Sequence, residues 1–274
     1  EEVYNQADIQ SRLKTKWVAH PLQFFDSIDS TNIRAKLEAE QGAESGLLVV
    51  ADMQSAGRGR RGRGWESPAG TNIYYTLMLK PDFSSDCAPM LTLVMALAVA
   101  KGIRQTLRRD SEEAAAKVGI KWPNDIVVDG KKVCGILTEM SMEQGYIQHI
   151  VIGVGINVRK QEFPEEIRDR AAAIDEQCGF RISRSQLIAD IMEAFEEDYK
   201  IFLQTHDLKG LRASYAELLV NQDREVCVLD PKGEYRGIAR GINDQGELLV
   251  ERPDGNVEEV YAGEVSVRGI YGYV

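Results

Sequence analysis

The segment Cys87–Arg108, with "MLTLVMALAVAKGI" at its centre, constrains the fold more than any other stretch. A helix with one apolar stripe can lie on a surface, but a helix that is apolar almost all round must be covered on every side. The segment therefore predicts a buried helix packed on a sheet. Strands for that sheet are legible on both sides of it. "LQFFDSI" (22–28), "GLLVVADM" (46–53) and "TNIYYTLML" (71–79) come before, the last two rich in Leu, Val and aromatic residues. "VGIKW" (118–122), "PNDIVVDGKKVCGILTEM" (123–140) and "GYIQHIVIGVGINV" (145–158) come after, with turns expected at Asp129-Gly130 and Glu143–Gly145. The fold class expected is mixed α/β, in the α+β sense.

Other helices follow from capping and spacing. "DSTNIRAKLEAE" (29–40) predicts a helix with Asp29 or Ser30 as N-cap and Ile33 and Leu37 on one face. Val3–Leu13 reads as a short helix, Ser185–Gln204 as an amphipathic one and Leu208–Leu219 as another. Arg159–Arg184 is polar with no clean period and reads as a loop holding a turn of helix. From Asn221 the character changes: "REVCVLD", "EYRGIARGI", "ELLVER" and "VEEVYAGEV" are short strands separated by "PKG", "NDQG" and "PDG" turns. That pattern predicts a small barrel of about fifty residues. The expected organisation is an N-terminal segment (1–20), a main domain (21–220) and the barrel (221–274).

Composition excludes several classes. No apolar run approaches the length needed to cross a bilayer, and "EEVYNQADIQSRLKTKW" has no apolar signal core. Cys87, Cys134, Cys178 and Cys227 are scattered, which argues against a disulfide framework or a zinc site and fits a reducing cytoplasm. A net charge of −10 argues against a protein that coats nucleic acid, because such binding needs many cations. Paired acids such as Glu196-Glu197 read as solvated faces, and His20, His149 and His206 have no acid or metal partner at useful spacing.

Against that acidic background, "SAGRGRRGRGW" (55–65) places Arg58, Arg60, Arg61 and Arg63 among four glycines. Glycine lets backbone N–H groups approach an anion, and arginine supplies planar donors for phosphate or carboxylate. Phosphate binding is the foremost reading; nucleic-acid binding and an inert basic loop stay open beside it. The loop is not a Walker A sequence. "KWPND" (121–125) reads either as a turn with a packed Trp122 or as a functional cluster of a cation and short polar groups. Strict alternation from Lys131 would put Lys132 on one face with Cys134 and Ile136, so that it either reaches solvent or points into a polar cavity. In "GVGIN" (153–157), two glycines at the end of an apolar strand suggest a close approach to the backbone.

Taken in order, "DSTN", "GRGRRGR…W", "KWPND", "KKVCGI" and "GVGIN" resemble the biotin protein ligase family, from about Phe24 to Asn157, with the strand-rich tail extending the likeness. The resemblance implies a central domain related to class II aminoacyl-tRNA synthetases and lipoate ligases, followed by an SH3-like barrel. It implies ATP-dependent activation of biotin to biotinyl-5′-AMP, then transfer to a lysine of a biotin carboxyl carrier protein. By the same resemblance, Ser30, Thr31, Asn32, Gln54, Gly57, Arg58, Arg60, Lys132, Gly135 and Gly155 would bind biotin. Arg60, Arg61, Arg63, Trp65, Asn124, Lys132 and Asn157 would bind the nucleotide, with Trp65 covering its adenine side. Arg58, Arg60, Lys132 and Asp125 would be catalytic, with Asp125 acting on the acceptor lysine. Mg²⁺ would be carried mainly by the ATP phosphates, and Arg159–Ala173 resembles a second loop that orders over the adenylate. The family also allows a homodimer, and DNA as a partner where a winged helix lies upstream. "ADIQSRLKTKW" looks like the join after such a domain. A lipoate or octanoate ligase of the same fold is the nearest rival reading.

Overall fold

A computed structural model describes residues 1–262, 266–269 and 272–274. The first part of the chain runs α1 (Gln6–Arg12), β1 (Leu22–Phe25), α2 (Thr31–Glu40), β2 (Leu48–Ala51), β3 (Asn72–Leu79) and α3 (Met90–Arg108). A short α4 (Glu112–Ala116) leads into β4 (Val118–Lys121), β5 (Asp125–Val128), β6 (Lys131–Glu143) and β7 (Tyr146–Asn157). Then come α5 (Ile174–Cys178), α6 (Arg184–Thr205) and α7 (Arg212–Leu218). The final strands are β8 (Glu225–Leu229), β9 (Tyr235–Ile242), β10 (Leu248–Glu251), β11 (Val257–Val260) and β12 (Ser266–Gly269). The end of the expected strand "VEEVYAGEV", at 263–265, lies outside the described residues.

Strands β1 to β7 form one sheet in the order β1-β2-β3-β7-β6-β5-β4, parallel only at β1–β2. The expected turns are present, with Asp129, Gly130, Gln144 and Gly145 all at positive φ. One face of the sheet is sealed by α3 and α6. Along α3 every residue from Leu93 to Ala100 is buried, as its all-round apolarity requires. Including its leading turn, this helix is long and apolar enough to cross a membrane, which corrects the sequence-based expectation; yet 72% of its apolar window is buried inside the protein. Helices α3 and α6 cross closely at Gly102, where a Cβ would come within 2.5 Å of Ile191 Cγ1 and 2.8 Å of Ile191 Cα.

The other face carries α2, with Ile33 and Leu37 together on its outer side. Ile33 and Leu37 are each 41% exposed, whereas Thr31, Asn32, Ala35 and Ala39 face the sheet. A small apolar cluster of Ala35, Ala39, Leu47, Val49, Met78 and Val151 secures the far half of the helix. Its first turn is polar inward because it overlooks an open stretch of sheet, not a core. Ser30 is the N-cap, accepting from the Ile33 N–H at 3.5 Å.

The N-terminal segment packs against the main sheet and α6. Ile9 is fully buried, and Glu2 pairs with Arg159 (2.6 Å) and Arg184 (3.0 Å). Glu196, expected on a solvated face, instead accepts the backbone N–H groups of Lys16, Trp17 and Val18 at 2.9–3.1 Å. Partial burial pushes its carboxyl up, but those hydrogen bonds outweigh it and hold the pKa below the usual range.

Strands β8 to β12 form a second, antiparallel sheet in the order β11-β10-β9-β8-β12. Among the described residues it is open, with β11 and β12 at its edges. It meets the main sheet at "KWPND", where Trp122 Nε1 donates to Gly246 O (2.9 Å), and the chain leading to it is held to β4 by Val220 N donating to Ile120 O (2.9 Å). Gly102→Val should destabilise the protein by about 2 kcal/mol or more, since Ile191's backbone cannot yield. Urea unfolding measures this directly.

Candidate functional site

The open face of the sheet is built by alternation across three neighbouring strands. β7 pairs with β3 so that Gly153 opposes Thr76 and Gly155 opposes Tyr74; it pairs with β6 so that Gly153 opposes Leu137 and Gly155 opposes Gly135. Gly135, Gly153 and Gly155 thus leave a strip of floor without side chains. Two groups occupy the space this creates. A Cβ on Gly153 would overlap Asn32 Oδ1. A Cβ on Gly155 would lie 2.5 Å from Trp65 Nε1, and one on Gly135 would lie 2.9 Å from Trp65 Cζ3. Glycine is required at these positions for close approach, not for unusual dihedrals.

At one end of the floor is a polar network. Thr31 N–H donates to Gln54 Oε1 (2.9 Å), Gln54 Nε2 donates to Ser67 Oγ (3.1 Å), and Ser67 Oγ donates to Trp65 O (2.9 Å). The Thr76 hydroxyl lies 2.5 Å from Asn32 Oδ1 and 2.8 Å from the Thr31 hydroxyl. Asn32 Nδ2 donates to Glu139 Oε1 at 3.0 Å.

The arginine loop forms a roof. It is a small hairpin: Trp65 N donates to Gly57 O (3.0 Å), Gly59 N donates to Arg63 O (2.7 Å), and Arg58 bridges Gly64. Arg61 and Gly62 turn it at positive φ. Trp65 hangs from this hairpin over Gly135 and Gly155, the strip expected to hold biotin, so it belongs to that slot and not only to the nucleotide side. Its Nε1 is buried with no partner among the described residues. An unmet buried donor costs about 1–3 kcal/mol, which a bound acceptor would remove.

At the other end of the floor are Lys132, Asp125 and Asn124. Strict alternation put Lys132 with Cys134, but the β5–β6 register shifts between Ile126 and Val127, a bulge that re-aims the side chain. Lys132 therefore shares the open face with Gly135, whose Cβ would lie 3.7 Å from Lys132 Cε, while Cys134 is fully buried in the core. Lys132 Nζ pairs with Asp125 Oδ1 at 3.1 Å, and Tyr273 donates its hydroxyl to Asp125 Oδ2. Burial and then the Asp125 charge press the Tyr273 hydroxyl far above its ordinary pKa, so it stays protonated as that donor. Lys121 sits 4.6 Å above the Tyr273 ring; burial lowers its pKa, partly offset by Asp125. Asn124 Nδ2 donates to Ile136 O (3.0 Å), leaving its Oδ1 to accept from Arg60 Nη1 (3.1 Å). In "KWPND", Trp122 is packed at 3% exposure, as the turn reading expects, while Lys121, Asn124 and Asp125 line the cavity.

One continuous cavity of about 400 Å³ collects these groups. Ser30, Thr31, Asn32, Gln54, Arg58, Arg60, Arg61, Arg63, Trp65, Asn124, Asp125, Lys132, Gly135, Gly155 and Asn157 all line it. Gly57 does not; it stands behind the wall, where a Cβ would meet Ser67 Oγ at 2.5 Å. The expected second loop returns to the site, with Lys132 N donating to Arg170 O (2.7 Å) and Ala172 N to Lys132 O (2.9 Å). Sequence reasoning missed Arg170, Ser266, Arg268 and Tyr273 among the lining residues. It also missed Glu139, whose only sequence signal is its i+4 place after Gly135 on β6.

The charge of the walls is one-sided. Among the described residues, the four loop arginines, Lys121, Lys132, Arg170 and Arg268 face a single carboxylate, Asp125. A cavity with that balance favours an anionic ligand at one end, and the uncharged donors and acceptors at the other favour a compact polar ring. Among the described residues no cluster of His, Cys, Asp and Glu fits a metal ion.

Comparison with known proteins agrees with this geometry. Residues 24–157 match the biotin/lipoate A/B protein ligase family, and residues 223–268 match the biotin protein ligase C-terminal domain. The chain is 35% identical over 265 residues to the bifunctional ligase/repressor BirA of Bacillus subtilis strain 168, covering 96% of this chain and 79% of that protein. It is 30% identical over 244 residues to the biotin–[acetyl-CoA-carboxylase] ligase of Paracoccus denitrificans, covering 88% and 98%. In structure it resembles the biotin protein ligase of Aquifex aeolicus solved with biotin and ATP, with a TM-score of 0.75 and 30% identity over 90% of this chain and 98% of that one. The chain belongs to the biotin protein ligase family.

Gly155→Ala would place a methyl group where the Trp65 indole stands. The hairpin can move and Gly155 needs no positive φ, so stability should change by less than about 1 kcal/mol. Acrylamide quenching of tryptophan fluorescence should rise as Trp65 leaves the floor.

Proposed function

We infer that the protein is a biotin protein ligase: it joins biotin to ATP as biotinyl-5′-AMP, releases pyrophosphate, and passes the biotinyl group to a lysine of a carrier domain. One observation carries this reading. A single cavity joins a glycine-floored slot with uncharged polar groups at one end to a strongly cationic end at the other. The slot suits a flat ureido ring and its chain. The cations suit a carboxylate beside a triphosphate.

The chemistry needs no nucleophile from the protein. A biotin carboxylate oxygen attacks the α-phosphorus, an O–P bond forms, and the bond to pyrophosphate breaks. Two anions must meet, and their repulsion is the main obstacle. Arg58, Arg60 and Lys132 offset it and stabilise the charge of the transition state, while the slot supplies positioning. In the second step the acceptor amine attacks the carbonyl and AMP leaves. Asp125, already held by Lys132 and Tyr273, is our candidate to orient that amine and take its proton. The hairpin and the 159–173 segment would exclude water from the mixed anhydride. Mg²⁺ would enter on the ATP phosphates, with Asp125 the one carboxylate among the described residues of the cavity.

The organisation proposed is a segment at 1–20, a catalytic domain at 21–220 related to class II aminoacyl-tRNA synthetases, and an SH3-like barrel at 221–274. The division is supported by the two separate sheets. A cytoplasmic location accords with four free cysteines. Homodimerisation and DNA binding, the latter requiring a further domain, are proposed only from the resemblance of the motifs; the relative named ligase/repressor supports a second, repressor role.

The test is ATP–pyrophosphate exchange, run with biotin and then with lipoate. Exchange should depend on biotin; exchange dependent on lipoate alone would overturn the reading in favour of its rival. In the same assay Lys132→Ala should lower exchange about 100-fold or more, with biotin affinity by calorimetry changed far less. Equal losses in both would make Lys132 a substrate anchor.

A further inference from the structure

Glu139 lies outside every motif that defined the site, yet three donors from two elements, α2 and the arginine hairpin, converge on it. Lys36 of α2 approaches Oε2 at 2.6 Å, Asn32 Nδ2 of α2 donates to Oε1 at 3.0 Å, and Arg58 of the hairpin donates to both oxygens at 2.8 and 3.1 Å. The carboxylate is about a quarter exposed. Partial burial pushes its pKa up, but the hydrogen bonds from Lys36 and Asn32 and the charges of Lys36 and Arg58 outweigh that and keep it below the usual range.

Each contact has a geometric consequence. By accepting from Asn32 Nδ2, Glu139 sets which way the Asn32 amide faces. Oδ1 is then turned toward Thr76 and over Gly153, at the polar end of the slot. By holding Arg58, Glu139 also fixes the start of the hairpin. Arg58 is bridged to Gly64, and Trp65 N is bonded to Gly57 O, so an anchored Arg58 sets where Trp65 hangs over Gly135 and Gly155. The loop has four arginines, and among the described residues only Arg58 forms an ion pair.

We infer that Glu139 is a positioning residue that links the slot to its roof: one carboxylate orients the Asn32 amide of the slot and tethers the arginine hairpin through Arg58. Glu139 touches no reacting atom. It makes the polar contact that the slot offers and the resting place of the roof depend on the same group. This rests on the ligase reading only for its kinetic consequences; the tether itself is a set of contacts within the chain.

The experiment is a double-mutant cycle with Glu139→Gln, which keeps the size and removes the charge, and Arg58→Ala. Two readouts are followed. In limited trypsin digestion of the unliganded protein, each single variant should be cut within Arg60–Arg63 about fivefold faster or more. The double variant should be cut no faster than the faster single. In steady-state kinetics each single should raise the biotin KM by a similar factor, non-multiplicatively in the double, with the ATP KM within about twofold. Unchanged cleavage, effects that multiply, or equal rises in both KM values would overturn the tether. A wild-type protein without biotin-dependent activity that still showed the cleavage pattern would sink the ligase reading and leave the tether supported.

Discussion

A largely antiparallel sheet can leave part of one face open, and this one is covered unevenly. On one side α3 and α6 seal it with a continuous apolar layer. On the other, α2 covers β2, β3 and part of β7, and the floor then goes bare at Gly135, Gly153 and Gly155. The rest of the site follows from that bare strip. Apolar cover would fill it, and side chains would close it. What covers it instead is a hairpin whose glycines let it bend and whose tryptophan fits against the exposed backbone.

The second consequence is electrostatic. Cations gathered around a cavity repel each other, and the eight that line it among the described residues, against one carboxylate, would be costly if all were desolvated. The protein limits this by leaving the loop arginines exposed and by giving Lys132 and Arg58 one acid each, Asp125 and Glu139. An anionic ligand would complete the compensation. The two acids stand at opposite ends of the glycine floor, so the unliganded cavity is braced at both.

Much of the architecture was legible because periodicity reports burial. The all-round apolar helix, the strand runs and both tight turns stand where the pattern put them. Ile33 and Leu37 share one face of α2, as their spacing put them, but the helix turns its small and polar face inward because Thr31 and Asn32 find hydrogen-bond partners there. Where pattern failed, a specific force had overridden it. Alternation misplaced Lys132, because a bulge shifts the β5–β6 register. Glu196 looked like a solvated acid and instead collects three backbone N–H groups from a segment 178–180 residues away in the chain.

By itself the sequence determined which elements form and which residue types carry the chemistry. Propensity, capping and the spacing of arginines, lysine and glycines are local properties, readable within a few turns of chain. Only the tertiary structure decided which groups share a face, which cations have partners, and that the small C-terminal sheet lends Arg268 and the following segment Tyr273 to the cavity. Those are matters of register and of contacts between residues far apart in the chain. No local signal encodes them, because they exist only once strands pair and helices pack.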